Sequence, residues 1–256
     1  MIHDTAIIDA SAKIAADVEI GAYSVIGADV EIASGTVIGP HVVVMGPSKI
    51  GQDNRIFQFS SIGEAPQDKK YQGERTWLEL GDRNVIREFV TLNRGTDDGN
   101  GKTIIGSDNL FMAYSHVAHD CLVGNHTVFA NAASLSGHVE VGDYTILGGF
   151  TSVHQFTLIG SKSFCGLGSV VTQDIPPFTT AAGNRARVIG INKEGLKRKG
   201  FSAELIQALH KSFRQLLKTR GAKEEIFENL KPLCDKYPEV AEFVDFVKNS
   251  KRGIAS

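Results

Sequence analysis

From Ile8 onward an aliphatic residue returns at every sixth position: Ile8, Ile14, Ile20, Ile26, Ile32, Ile38, Val44, Ile50, Ile56 and Ile62. The phase breaks over "EAPQDKKYQGERTW", resumes at Leu80, Ile86 and Leu92, and breaks again at "RGTDDGNGK". It then runs through Ile105, Phe111, Val117, Val123, Phe129, Leu135, Val141, Leu147, Val153, Ile159, Cys165 and Val171. Period six fits neither the roughly 3.6-residue turn of a helix nor strand alternation. It fits the hexapeptide coils of an all-β parallel β-helix, in which three short strands make one triangular coil of about eighteen residues. The aliphatic residue points inward and stacks on its equivalents. The small residue that often follows it (Gly21, Gly27, Ala33, Gly39, Gly51, Gly63) is expected to let the chain turn. Adjacent coils pair as parallel strands about 4.8 Å apart, so residues eighteen positions apart lie one above another.

This pattern divides the chain into a β-helix over 1–183, with loop excursions at about 64–78 and 94–103, and an α-helical C-terminal domain over 184–256. Loops that leave a solenoid forgo coil-to-coil hydrogen bonds, so both excursions are expected to serve binding or assembly. The first carries Gln67, Asp68, Lys69 and Lys70 close together. After "DIPPFTTAAGN" the repeat fades. Ser202 is the expected N-cap of a helix in "FSAELIQALHKSFRQLLKTRG", whose Leu205, Leu209, Phe213, Leu216 and Leu217 form an apolar stripe, and "KEEIFENLKPLCDKYPEVAEFVDFVKNS" holds two further short helices. Between solenoid and tail, "RARVIGINKEGLKRKG" concentrates Arg185, Arg187, Lys193, Lys197, Arg198 and Lys199 against a single acid, which suits an anionic ligand.

Composition removes several function classes. A net charge of −2 argues against wholesale nucleic-acid binding. No apolar run approaches the roughly 20 residues of a transmembrane helix, and the N-terminus lacks the basic and apolar regions of a secretory signal. Cys121, Cys165 and Cys234 are scattered and odd in number, which fits neither a disulfide framework nor a cysteine-rich zinc site. The expected location is the cytoplasm.

His116, His119, His126, His138 and His154, five of the eight histidines, fall between residues 116 and 154. Val117 takes the inward position, so His116 and His119 face outward. Eighteen positions on from His119 is Gly137, beside His138, and His154 is eighteen on from Ser136. His116, His119, His138 and His154 thus gather along one edge of successive coils, whereas His126 falls at another phase. Three readings compete: ordinary surface or inter-subunit histidines, a zinc site completed between chains, or a general base. The third is favoured. Asp120 can orient an imidazole, and the Gly137 N–H, one coil away, can meet a developing oxyanion; acyl transfer needs both.

The segments "LNRGT" (92–96), "HVAHDCLVGN" (116–125), "SGHVEVGD" (136–143), "VHQF" (153–156), "QDIPPF" (173–178) and "GINKEGLKRKGFS" (190–202) resemble the bacterial UDP-N-acetylglucosamine O-acyltransferases that use acyl carrier protein and open lipid A biosynthesis. The resemblance spans essentially the whole chain. It implies a left-handed β-helix assembled as a homotrimer with active sites between subunits. His119 would be the base that deprotonates the glucosamine 3-hydroxyl, Asp120 its assistant, and Gly137 the oxyanion donor. Gln67, Asp68, Lys70, His116, His138, His154 and Gln155 would contact sugar, diphosphate or pantetheine, and Asn192, Glu194, Arg198 and Lys199 the nucleotide. No metal, no covalent intermediate and no cofactor beyond the carrier protein's phosphopantetheine are implied.

Two positions depart from the family's pattern. Lys199 stands where some relatives carry arginine, replacing a bidentate fork by a point charge. Leu167, in "FCGLGS", stands where relatives with longer acyl products carry glycine, and is expected to shorten the acyl chain accepted. Other identities fit less well. The sibling N-acyltransferase carries an N-terminal uridine-binding domain, for which the hexads beginning at Ile8 leave no room. A γ-type carbonic anhydrase spaces its zinc histidines differently and leaves "NKEGLKRKG" unexplained. An ice-binding or structural array wants flat rows of one residue type, which are missing here.

Overall fold

Each hexad becomes one short strand and one corner. In the computed structural model, which describes residues 1–219 and 222–256, these strands form the three faces of a left-handed parallel β-helix. A nine-stranded face runs from Ile7–Ile8 through Val25–Ile26, Val43–Val44, Ser61–Glu64, Thr91–Asn93, His116–Val117, Ser134–Leu135 and Ser152–Val153 to Val170–Val171. An eight-stranded face runs from Lys13–Ile14 to Leu158–Ile159. A ten-stranded face runs from Glu19–Ile20 to Phe164–Cys165 and is closed by Thr179–Ala182 and the antiparallel Arg187–Ile191. The register is the expected one: Ile8 pairs with Ile26, Val117 with Leu135, and Leu135 with Val153. The left-handed sense is an exception to the right-handed rule for parallel crossovers.

The inward aliphatic column is the core, with Ile26, Ile62, Leu92, Val117, Leu135 and Val171 all buried. Ile8 and Ile14 stay partly exposed because the first coil has a neighbour on one side only. The turning itself departs from expectation. It is made by the residue three places after the inward one, which takes a left-handed backbone at Tyr23, Asp29, His41, Phe59, Phe89, Tyr114, Asp120, His138 and Phe156, among others, with φ between 54° and 65°. Of the six small residues that follow the inward position, only Gly63 has positive φ. Their smallness makes room for the next coil: a side chain at Gly21 would run into the backbone of Pro40.

A second, polar column stacks inside the same coils. Asn54 Oδ1 accepts from Asn84 N (2.8 Å), Asn84 Oδ1 from Asn109 N (3.0 Å), and Asn109 Oδ1 from both the backbone and the hydroxyl of Thr127 (2.7 Å each). Burial is tolerable because each amide oxygen accepts along the axis, although Asn109 Nδ2 finds no protein partner among the described residues.

Both excursions leave from one corner, between the nine- and eight-stranded faces. Ile62 therefore pairs with Leu92 and Leu92 with Val117, thirty and twenty-five positions apart where eighteen is the rule. The corner that carries His119 comes next in the stack, so the excursions are placed to fold over it.

Among the described residues four helices follow the solenoid: α1 (Lys193–Arg198), α2 (Ala203–Leu217), α3 (Lys223–Lys236) and α4 (Pro238–Asn249). Ser202 caps α2, its hydroxyl accepting from Leu205 N (3.2 Å), and Leu209 and Phe213 of the apolar stripe are buried. Arg220 and Gly221, at the end of the segment read as that helix, lie outside the described residues. After α4 the chain returns to the last coil, where Ala255 N donates to Asp174 O (3.0 Å). No helix among the described residues is long and apolar enough to cross a membrane.

Candidate active site

His119 and Asp120 are sequence neighbours whose side chains meet because Asp120 is the left-handed corner residue, at φ 59°. That backbone swings the carboxylate toward the imidazole, and His119 Nδ1 lies 2.8 Å from Asp120 Oδ2. Asp120 is 1% exposed. Burial pushes its carboxyl up, but hydrogen bonds from His119 and Thr96 outweigh this and hold it below the ordinary carboxylate range. An ionised carboxylate only accepts, so Nδ1 is the protonated nitrogen, and in the neutral imidazole Nε2 presents its lone pair.

One coil on, Gly137 underlies the ring. A Cβ there would fall 2.5 Å from His119 Cε1 and 2.7 Å from Nε2, so only glycine lets the imidazole lie against this backbone. Gly137 N–H donates to no protein group among the described residues. His138, whose N donates to His119 O (3.0 Å), sets its ring edge-on to His119 at 5.1 Å and stacks on Phe156 at 4.4 Å. Burial lowers the His138 pKa against the pull of Asp120. His116 Nδ1 pairs with Thr91 Oγ1 (2.7 Å), and burial followed by the nearby His119 lowers its pKa too.

His119, Asp120 and His138 offer donor atoms within 4.8 Å of one another, a geometry that bears on the zinc reading. The carboxylate, however, is fully engaged. It accepts from Thr96 N (3.0 and 3.1 Å), Thr96 Oγ1 (2.6 Å), Asn100 N (3.1 Å) and His119, which leaves it little capacity for a metal. The site thus holds an imidazole oriented by a carboxylate, lying against the backbone of Gly137.

Comparison with known proteins identifies the family. Residues 174–255 match the family described as "Udp N-acetylglucosamine O-acyltransferase; Domain 2", and residues 1–34 match the bacterial transferase hexapeptide repeat. The acyl-(acyl-carrier-protein)–UDP-N-acetylglucosamine O-acyltransferase of Thiobacillus denitrificans is 58% identical over 99% of this chain and 98% of its own. The chain belongs to the UDP-N-acetylglucosamine O-acyltransferase family. Two solved members of that family superpose closely. LpxA from Acinetobacter baumannii is 46% identical with a TM-score of 0.97, covering 100% of this chain and 99% of that one. The Moraxella catarrhalis UDP-N-acetylglucosamine O-acyltransferase is 44% identical, also at 0.97 and with the same coverage. The chain is an acyltransferase of the hexapeptide-repeat class.

The remaining residues read from the sequence distribute unevenly around the His119 corner. Asp68 and Lys70 come close enough to act on the charge of His138, and with Thr96 they line a cavity of about 70 Å³ between the two excursions. Gln67 is exposed on the first excursion. Gln155 sits one coil above Gly137. His154 lies on the same corner, but Arg252 from the C-terminal segment draws its Nδ1 away (2.7 Å). Asn192 is occupied with structure: Oδ1 caps α1 by accepting from Gly195 N (3.2 Å), and Nδ2 donates to Lys162 O (3.1 Å). Glu194 pairs with Lys197 (3.1 Å), Arg198 is exposed, and the Lys199 ammonium sits 3.9 Å from the ring centre of Tyr144. Leu167 is 77% exposed, on the corner between the ten- and nine-stranded faces, one strand's width from the His119 corner and three strands along the sheet from His116–Val117.

Thr96, Asn100, Phe156 and Arg252 escaped the sequence reading. Register held a signal for the first two, since an excursion leaving after Asn93 must lie over the corner that follows Val117. Phe156 was also in reach, eighteen positions from His138. Arg252 had no such signal, because its contact depends on how the helical tail folds back.

Proposed function

We propose that this acyltransferase moves a fatty acyl group, a 3-hydroxyacyl group by family resemblance, from acyl carrier protein to the 3-hydroxyl of UDP-N-acetylglucosamine, the first step of lipid A biosynthesis, in the cytoplasm. The observation that carries the reading is His119 held by Asp120 on one side and laid against Gly137 on the other. His119 Nε2 takes the hydroxyl proton as the sugar oxygen attacks the thioester carbon. Negative charge then develops on the carbonyl oxygen, where the Gly137 N–H donates. Collapse of the tetrahedral intermediate expels the pantetheine thiolate, which recovers the proton from the imidazolium. Asp120 stabilises that imidazolium, and a general base of this kind contributes about 100- to 10,000-fold in rate. Asp68 and Lys70, beside His138, are assigned to the sugar and diphosphate; His116, His138, His154 and Gln155 to sugar or pantetheine; and Asn192, Glu194, Arg198 and Lys199 to the nucleotide.

The site is read as lying between the subunits of a homotrimer. Within one chain the base and Leu167 occupy opposite edges of the nine-stranded face, and three-fold packing sets one chain's His119 edge against the next chain's Leu167 edge. An exposed aromatic column supports this. Tyr23, His41, Phe59, Phe89 and Tyr114 stack at 4.9–5.4 Å along the Leu167 corner, and such a surface favours burial. Leu167 then meets the end of the acyl chain, and each methylene it displaces forfeits about 0.8 kcal/mol. Mass analysis of the products formed from UDP-N-acetylglucosamine and a series of acyl carrier protein thioesters tests both parts. The wild type yields the 3-O-acyl sugar nucleotide, and Leu167→Gly moves the preference to longer chains. Absence of that product refutes the reading, and an unmoved preference refutes the role of Leu167.

A further inference from the structure

The second excursion has a definite structure around Asp120. We propose that it is a carboxylate clamp and that Thr96 is a positioning residue for acyl transfer, acting through Asp120 on His119; the inference rests on the base role proposed for His119. Thr96 is 5% exposed and reaches Asp120 from a loop twenty-four positions earlier in the chain. Asp120 Oδ1 accepts from Thr96 N (3.0 Å) and Asn100 N (3.1 Å). Asp120 Oδ2 accepts from the Thr96 hydroxyl (2.6 Å), and it is the oxygen that His119 uses. The hydroxyl therefore fixes the rotation of the carboxyl group and with it the direction of the imidazole. Asp120 N donates to Thr103 Oγ1 (2.8 Å), so the far end of the excursion holds the same residue by its backbone.

The clamp closes tightly and is itself anchored. A Cβ at Gly99 would fall 2.4 Å from the Asp120 carboxyl, so the loop packs onto the acid as closely as backbone allows. Asn93 Nδ2 donates to Ala65 O (2.9 Å), and the buried Arg94 reaches Gly63 O and the Tyr71 hydroxyl (3.3 Å). The loop that grips Asp120 thus also grips the excursion carrying Asp68 and Lys70. A buried carboxylate deprived of such donors rotates or takes up a proton, and either change removes the partner the imidazolium needs.

Thr96→Val keeps the shape and removes the hydroxyl, whereas Thr96→Ser keeps the hydroxyl. The expected outcome is a fall in kcat of about ten- to a hundredfold for Thr96→Val with KM for UDP-N-acetylglucosamine within about twofold, and a loss of no more than about threefold for Thr96→Ser. Proton NMR supplies a readout that packing alone would not move: a slowly exchanging downfield His119 Nδ1–H resonance, identified by its absence in His119→Ala, present in the wild type and Thr96→Ser and displaced in Thr96→Val. Should Thr96→Val fail to fold, the wild-type and Thr96→Ser spectra still decide. If His119→Ala is fully active, the proposed base falls and the clamp with it. If His119→Ala is inactive, the clamp alone is overturned by undiminished kcat in Thr96→Val, by equal losses in Val and Ser, or by a wild-type spectrum without the resonance.

Discussion

The missing side chain at Gly137 does as much for the site as the imidazole resting on it. A Cβ of residue 137 would fall only 2.7 Å from His119 Nε2, so the proposed base and the proposed oxyanion donor are brought together by close contact between coils. Gly137→Ala is therefore expected to tilt the imidazole off the backbone and lower kcat by about a hundredfold, because misplacing a catalytic group by about 1 Å costs on that order. Steady-state kinetics against an unchanged melting curve checks it; a variant with wild-type kcat would show that the contact is incidental. At this scale the sequence was partly legible. The eighteen-residue step put His119 over Gly137 and beside His138 correctly, because stacking is fixed by strand register. The meeting of His119 with Asp120 depended on a left-handed backbone at residue 120, which an aspartate can adopt but does not announce. Cys121 and Cys165 are buried in the core with thiols pushed up to about 12, in keeping with packing residues.

At the scale of elements, the interruptions and the asparagine column matter most. Both excursions leave at the His119 corner, and one of them seats Asp120, so a break in the repeat marks a place where chemistry displaced regularity. The asparagine column does the opposite work, binding coil to coil through the very region where the excursions interrupt the period. Asn84, fully buried, accepts from Asn109 N and donates to Gly106 O (3.0 Å each). Asn84→Ala leaves both partners unsatisfied and is expected to destabilise the fold by about 2–5 kcal/mol, read as a lower urea midpoint; an unmoved midpoint would mean that water replaces the amide. The strands and the three longer helices were legible from period and capping. The Arg187–Ile191 strand and α1 were not, since five and six residues within a basic run carry too little hydrophobic pattern to declare a type. The asparagines were hidden for another reason: the excursions set Asn54, Asn84 and Asn109 thirty and twenty-five positions apart rather than eighteen, and a polar residue gives no sign of pointing inward.

Seen whole, the molecule carries His119 on one corner and its exposed aromatic column, with Leu167, on another. In the proposed trimer these two corners meet as halves of one site. Fold class was legible because one period governs two-thirds of the chain; the distribution of function between corners required the three faces to be laid out. The C-terminal segment makes the same point, since Arg252 reaches His154 ninety-eight positions away through contacts that no periodicity encodes. What unites these scales is the claim that His119, aimed by Asp120, is the general base of acyl transfer to UDP-N-acetylglucosamine. The direct measurement is the single-turnover rate of 3-O-acyl product formation from acyl carrier protein thioester by wild type and His119→Ala. A loss of at least about a hundredfold in the variant, with its fold intact, is the predicted result; a variant that turns over at the wild-type rate would contradict the account.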